Sequence, residues 1–313
     1  MTAAIACIVA DWGTTNLRAW AMGADGTTLD QRRSPRGLMA VEGGRFSEAL
    51  EEVCSDWLAS RQRLPVVMSG MVGSKLGWKE APYLGAPVAL DGLARHLCPV
   101  EVRLNATVWI VPGVKMDEPV QPEVMRGEET QILGALEAMG IDDGIFLLPG
   151  THSKWAIVED RSLVAFRTYM TGELYGLLRR SGTLSQLMEG DEPNDAAFRE
   201  GVARAKSSEA PSLLHSLFSV RTLGLFERVP RSGLASYMSG LLIGAEMQDA
   251  LMWLRARGKP RLAVGIGSPG MLESYRLAAL LCGLELSTLD SAQVVTRALL
   301  SIAASAGLVT RSL

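Results

Sequence analysis

The stretch IACIVADWGTTNLRAW, residues 5–20, decides how the rest of the chain is read. Its apolar run empties into Asp11, passes a small turn, Gly13-Thr14-Thr15-Asn16, and returns at once as LRAW. That pattern is strand, turn, strand, not a strand entering a helix. The turn suits an anion: Gly13 allows close backbone approach, Thr14 and Thr15 add amide and hydroxyl donors, and Asp11 can hold a hydrated divalent cation. The plain alternative is an ordinary hairpin whose acid and hydroxyls only satisfy turn amides, so the reading needs support from elsewhere.

Support comes from a second copy. Residues 27–32 add a third strand to the opening hairpin, and the same pattern restarts at 144–148. There an apolar strand meets the turn Pro149-Gly150-Thr151-His152-Ser153, followed by strands at 154–158 and 163–167. The intervening segment reads as a helix over 46–58, a buried strand over 65–68 emptying into Ser69-Gly70-Met71-Val72-Gly73-Ser74, and an aperiodic stretch over 75–96. A strand over 107–111, an irregular connection over 112–122 and a helix over 128–139, starting just after Gly127, complete it. Beyond the second meander, helices are expected at 174–178, 196–205, 211–218 and 234–254. A strand over 262–266 then ends in Gly265-Ile266-Gly267-Ser268-Pro269-Gly270, with a helix over 271–282, a strand over 284–289 and a closing helix over 292–306. A βββ meander followed by helices, repeated after about half the chain, predicts an α/β protein of two similar domains. The boundaries expected are 1–140 and 141–291, with the terminal helix, 292–313, packing back on the first domain.

Composition narrows the function classes. The chain has 313 residues, 48% hydrophobic and 21% charged, with a net charge of −3 and no basic block, which recommends neither nucleic acid nor an anionic membrane as partner. Its four cysteines, Cys7, Cys54, Cys98 and Cys282, lie far apart with no CxxC pair and read as reduced. The first apolar run ends at Asp11, too short to span a bilayer, so a cytoplasmic protein is expected. Gly240 and Gly244 make a small-xxx-small spacing, but Glu246, Gln248 and Asp249 follow, which favours close packing in a soluble core over a membrane interface.

At this point the motifs carry a resemblance. Asp11-Trp12-Gly13-Thr14-Thr15, Pro149-Gly150-Thr151 and the loop from Gly265 to Gly270 resemble the two phosphate motifs and the adenosine motif of the sugar kinase, heat-shock protein and actin superfamily. DWGTTNLRAW, VVMSGMVGSKLGW, APYL, MRGEETQILGA, PGTHSKW, TGEL and SGLLIGAE together resemble the 2-dehydro-3-deoxygalactonokinase family over nearly the whole chain. The resemblance implies a two-domain, actin-like (ribonuclease H-like) ATPase fold. It implies ATP and magnesium as cofactors and phosphorylation of the 6-hydroxyl of 2-dehydro-3-deoxy-D-galactonate, or of a related 2-keto-3-deoxy sugar acid. The partners implied are ATP and the small sugar acid, with homodimerisation left open.

The residues can be matched to the parts phosphoryl transfer needs. Asp11 is expected to orient magnesium, mainly through water, while Gly13, Thr14, Thr15, Gly150 and Thr151 cradle phosphates from two sides of a cleft. His152 either touches a phosphate or caps its turn. Gly265, Gly267 and Ser268 are expected at the nucleotide, and Lys154, alternating outward in its strand, in solvent. The superfamily's sugar kinases place a carboxylate at the start of the inter-domain helix, here Glu128 or Glu129. Many relatives use Asp, so a Glu pair is a departure; Glu128 is preferred as base, against the alternative that both acids merely favour a helix N-terminus. Arg126 is expected to grip the substrate carboxylate bidentately or to pair with a glutamate. Trp12, Asn16, Ser69, Met71, Gly73, Ser74 and Trp78 are assigned to the sugar, and Thr171-Gly172-Glu173 to a helix N-cap. Two other classes compete. A phosphatase of the exopolyphosphatase type shares the paired glutamates, and a non-catalytic actin-like or sugar-sensing protein shares the fold.

Overall fold

The computed structural model describes residues 4–59, 63–207 and 212–310. In the first half, β1 (Cys7–Trp12), β2 (Leu17–Met22) and β3 (Thr28–Ser34) form the meander, followed by α1 (Phe46–Leu58) and β4 (Leu64–Ser69). Next come β5 (Tyr83–Gly85), β6 (Val88–Ala89), β7 (Cys98–Val100), β8 (Ala106–Ile110), β9 (Gly113–Met116), β10 (Glu123–Met125) and α2 (Glu128–Met139). The second half opens with β11 (Gly144–Leu148), β12 (Ser153–Glu159) and β13 (Ser162–Tyr169). It continues with α3 (Thr171–Arg180), α4 (Asp195–Lys206), α5 (Leu213–Leu225), α6 (Leu234–Ala256), β14 (Leu262–Gly267), α7 (Pro269–Cys282), β15 (Glu285–Asp290) and α8 (Ser291–Ser305).

The repeat is visible in strand order. One sheet runs β3-β2-β1-β4-β8-β7 and another β15-β14-β11-β12-β13-β6, so each places its first strand between its meander partner and a later strand. β1 pairs antiparallel with β2 but parallel with β4, and β11 pairs parallel with β14. A four-residue turn suffices for the first kind of pairing; the second needs a crossover, which α1 supplies between β1 and β4. The chain divides into two compact units, Met1–Gly144 with Ile157–Phe166 and Ser291–Leu313, and Ile145–Ala156 with Arg167–Asp290.

In the first unit, α1 buries Phe46, Ala49, Leu50, Cys54, Trp57 and Leu58, a helical stripe, against a core that includes Ile8, Trp12, Leu17, Val66 and Met68. α8 lies against α2 so closely that a Cβ on Gly134 would sit 1.9 Å from the Val294 carbonyl oxygen. In the second unit α4 and α6 meet in the same way: a Cβ on Gly240 would be 2.1 Å from the Phe198 carbonyl. Gly240 is thus a close-packing residue between α4 and α6, and no helix among the described residues is long and apolar enough to cross a membrane.

Three expectations need correction. Residues 112–122 hold a strand, β9, which finds its partners in β5 and β10; four residues carry too little period to be seen before their non-local partners are known. Lys154 is 4% exposed, not solvated. β12 is interior to its sheet with both faces covered, so alternation does not bring a side chain to water. Pro211, the expected start of α5, lies outside the described residues, and the helix begins at Leu213.

Candidate functional site

Asp11 and Ser69 are partners in register at the ends of β1 and β4, which brings the hairpin turn and the Ser69–Ser74 loop together. The chain then turns sharply at Gly70 (φ 95°), where a Cβ would lie 2.9 Å from the Trp12 carbonyl and 3.2 Å from Asp11 Oδ1. Gly127 (φ 108°) rests on it, its would-be Cβ 3.1 Å from the Gly70 Cα. Both positions combine a left-handed backbone with no room for a side chain, which is why both are glycine. Asp11, Gly70 and the start of α2 are therefore neighbours.

Asp11 Oδ2 accepts a 2.5 Å bond from Arg18 Nη2. Burial pushes its carboxyl above the usual range, and the Arg18 charge and hydrogen bond pull the other way. Among the described residues no cluster of three or more metal-ligating side chains exists. A single hard oxygen at this position fits magnesium held chiefly by phosphate oxygens and water, since that ion retains its hydration shell and takes few protein ligands. Thr14 and Thr15 are exposed on the turn, whose closure is Gly13 N–H to the Asn16 carbonyl at 2.9 Å. Asn16 turns its amide back onto Thr15 Oγ1 at 3.0 Å.

The two glutamates are distinguished by their surroundings. Glu129 is fully buried, and both of its carboxylate oxygens accept from Gly127 N–H, at 2.9 and 2.7 Å, with Thr130 Oγ1 donating at 3.0 Å. Glu128 is half-buried, and its Oε2 accepts from Arg126 N–H at 2.9 Å. Burial first and the Glu128 charge second push Glu129 up to about 7, against the pull of its hydrogen bonds. Its proton is thus bound more tightly folded than unfolded, so folding stability falls as pH rises from the ordinary Glu value toward about 7 and is level above it. Replacing Glu129 by Gln removes that cost. The thermal midpoint of Glu129→Gln relative to wild type should rise between pH 5 and pH 8, by an amount on the order of 2–3 kcal/mol of stability; a difference constant with pH would contradict it.

Around the Ser69–Ser74 loop, Ser69 Oγ, Ser74 Oγ and Arg126 Nη1 are buried without hydrogen-bond partners. Arg126 does not pair with either glutamate through its side chain. Its Nη2 donates to the Ala81 carbonyl at 2.8 Å, and its guanidinium lies over the Tyr83 ring, 4.2 Å from the centroid. Trp12 requires a correction: it is fully buried, its Nε1 donates to the Arg36 carbonyl at 2.9 Å, and its edge meets Phe46. An indole sealed into the core has no face for a sugar. Trp78 stacks on Phe46, and Met71 packs on the same core, each leaving only part of its surface outside.

The second unit holds the turn Gly150–Ser153 in a different way. Glu246 of α6 is 3% exposed and accepts four hydrogen bonds, from Ser153 Oγ (2.7 Å), Trp155 Nε1 (2.8 Å), Thr171 Oγ1 (2.5 Å) and Tyr275 OH (2.8 Å). Burial raises its pKa, and these four donors oppose the rise. Gly172 packs on the turn so tightly that a Cβ would be 2.2 Å from the Gly150 carbonyl, and Glu173 N–H donates to the Thr151 carbonyl at 2.9 Å. Thr171 is therefore not the helix N-cap: it is the first residue of α3, with its hydroxyl committed to Glu246. His152 Nε2 lies 2.5 Å from Glu173 Oε2 on the exposed side. Glu246→Ala would leave four buried donors around a void and should cost about 3 kcal/mol or more. Chemical denaturation should show a lower midpoint for it than for Glu246→Gln, and equal midpoints would disprove the network's importance.

Gly265 and Gly267 also need a different account. Both are buried, and a Cβ on Gly265 would meet Leu272 Cδ2 at 3.0 Å, so these glycines seat α7 on β14. The surface open to a ligand begins after them, where Ser268 is exposed. Gly150, Thr171, Tyr175, Ser239, Met271 and Ser274 line a cavity of about 190 Å³ beside the turn. Tyr175, Ser239 and Ser274 also border a second cavity of about 670 Å³, which reaches Gly270 and Arg276. Sequence inspection misses Tyr175, Ser239 and Glu246. Only Glu246 left a signal, as an acid four residues after Leu242 on the apolar face of α6.

Residues 11–302 match the family described as 2-keto-3-deoxy-galactonokinase. The chain is 38% identical over 240 residues to the 2-dehydro-3-deoxygalactonokinase of Escherichia coli K12, covering 77% of this chain and 78% of that protein. It is 36% identical over 310 residues to a Rhizobium meliloti protein provisionally given the same name, covering 98% and 99%. A crystal structure from Sinorhizobium meliloti, also provisionally so named, superposes with a TM-score of 0.87 at 33% identity over 95% of both chains. A Clostridium difficile activator of 2-hydroxyisocaproyl-CoA dehydratase, with ADPNP bound, gives 0.53 at 11% identity over 96% and 95%. That last likeness is one of fold alone, and the fold is that of actin-like ATPases and sugar kinases.

Proposed function

From a chain that belongs to the 2-keto-3-deoxy-galactonokinase family, we propose an enzyme that transfers the γ-phosphoryl group of ATP to the 6-hydroxyl of 2-dehydro-3-deoxy-D-galactonate. The product is the 6-phosphate, within galactonate catabolism. The observation that carries this reading is the group of buried polar atoms without partners, Ser69 Oγ, Ser74 Oγ and Arg126 Nη1, on the loop that meets Asp11 in register and on the residue whose backbone N–H bonds Glu128. Unsatisfied buried donors are costly, and a polar ligand rich in oxygens repays them.

Each remaining part has a residue. The amides and hydroxyls of Gly13, Thr14 and Thr15 suit one set of phosphate oxygens, and those of Gly150 and Thr151 suit another. Tyr175, Met271 and Ser274 offer an apolar-walled, polar-rimmed cavity for the base and ribose. Magnesium, when bound, would neutralise phosphate charge, with Asp11 as its protein oxygen. Glu128 keeps exposed surface and Glu129 has none, so Glu128 is the carboxylate that can take the hydroxyl proton. The four free cysteines suit a reducing compartment, and we place the reaction in the cytoplasm.

The test is ADP formation by the purified protein against a panel of 2-keto-3-deoxy sugar acids, with the phosphorylated position read by NMR. Acid-dependent ADP release with phosphate on the 6-oxygen is expected. Phosphate released to water regardless of the acid would favour the hydrolase instead, and turnover of another acid alone would reassign the substrate.

A further inference from the structure

Arginine can grip a carboxylate with two parallel N–H groups only if one edge of the guanidinium is open. In Arg126 the edge formed by Nε and Nη2 is already engaged: Nη2 donates to the Ala81 carbonyl at 2.8 Å, and Nε to Tyr83 OH at a long 3.4 Å. The plane of the group is further fixed by the Tyr83 ring beneath it. What remains is the Nη1 end of the group, where Nη1 is buried and without a partner; a Cβ added at Gly73 would lie 3.0 Å from it. The next residue, Ser74, contributes a buried hydroxyl that also has no partner.

We propose that Tyr83 is a positioning residue for substrate recognition: together with the Ala81 carbonyl it locks Arg126 so that its Nη1 end takes the carboxylate of the sugar acid, with the unpartnered Ser74 hydroxyl as a second donor. This deepens the kinase reading above and rests on it. The grip is end-on, through Nη1 and the second hydrogen of Nη2, because the protein itself uses the Nε–Nη2 edge. A side chain at position 73 would press on Nη1 at 3.0 Å, which glycine avoids, and the loop from Ser69 to Ser74 adds hydroxyl donors. Tyr83 sits on β5, a three-residue strand of the small sheet β10-β9-β5, and Arg126 directly follows β10 of that sheet. The small sheet therefore holds both members of the stack.

The experiment compares Tyr83→Phe and Tyr83→Leu with wild type, using the sugar acid and its primary amide as substrates. Removing a stacked ring from under a buried cation should raise KM for the acid roughly tenfold or more in Tyr83→Leu, with KM for ATP within about twofold. Tyr83→Phe keeps the ring and loses only the long hydrogen bond, so it should stay within about threefold of wild type. With the amide, wild type and Tyr83→Leu should differ little, and in an Arg126→Lys background the Tyr83→Leu effect should vanish. An unchanged acid KM, equal penalties on acid and amide, or a full effect in the Arg126→Lys background would each overturn the proposal. Should Tyr83→Leu not fold, Ser74→Ala probes the same point by removing the unpartnered hydroxyl and is expected to raise the acid KM; no rise would overturn it. Wild type inert toward every sugar acid would overturn the kinase reading, and this inference with it. Wild-type turnover with unaltered acid KM in the variants would overturn this inference alone.

Discussion

Glu128→Gln should lower kcat by about 10² to 10⁴, the range general-base catalysis commands, with KM for ATP unchanged. The amide keeps the shape of the side chain and can still accept from Arg126 N–H through its oxygen, so the start of α2 should hold. What it loses is the ability to take a proton from the attacking hydroxyl. Glu129→Gln is the internal control, because a side chain with no exposed surface and both oxygens committed to Gly127 cannot reach a substrate. Its main effect belongs to stability and pH. Saturation kinetics on the two variants decide the matter: a reversed ranking hands the base role to Glu129, and two near-normal kcat values reduce the pair to capping of a helix N-terminus.

Asp11→Asn should cost on the order of a hundredfold or more in kcat, a few kcal/mol of transition-state stabilisation. The substitution is isosteric and the position is pinned by the β1–β4 ladder, so the fold should survive. The charge does not. Arg18 is left facing a neutral amide, and the end of the hairpin changes from a carboxylate–guanidinium pair to a net positive site. Such a site still attracts nucleotide, so KM for ATP should move less than kcat, and excess magnesium should not restore turnover. A magnesium titration that brings kcat near wild type would remove Asp11 from the mechanism.

The parts of this protein that were legible in the sequence are those set by local chemistry. The hairpin of residues 5–20, its echo at 144–158, and α1 and α2 follow from apolar runs, turn residues and helical spacing, which neighbouring residues dictate alone. The motif set was enough for the family. Side-chain fate was decided elsewhere. Trp12 was sealed by Phe46 and Arg36, and Lys154 was covered because β12 is an interior strand. Gly265 was claimed by Leu272 for packing. Arg126 has its Nε–Nη2 edge taken by Tyr83 and Ala81, more than 40 residues earlier in the chain. Glu246 collects Ser153, Trp155, Thr171 and Tyr275 from three separate elements, β12, α3 and α7, and no local pattern announces such a convergence. Sequence spacing specifies which backbone forms; whether a polar group there meets water, a ligand or another side chain depends on partners distant in the chain, and only the tertiary structure brings those together.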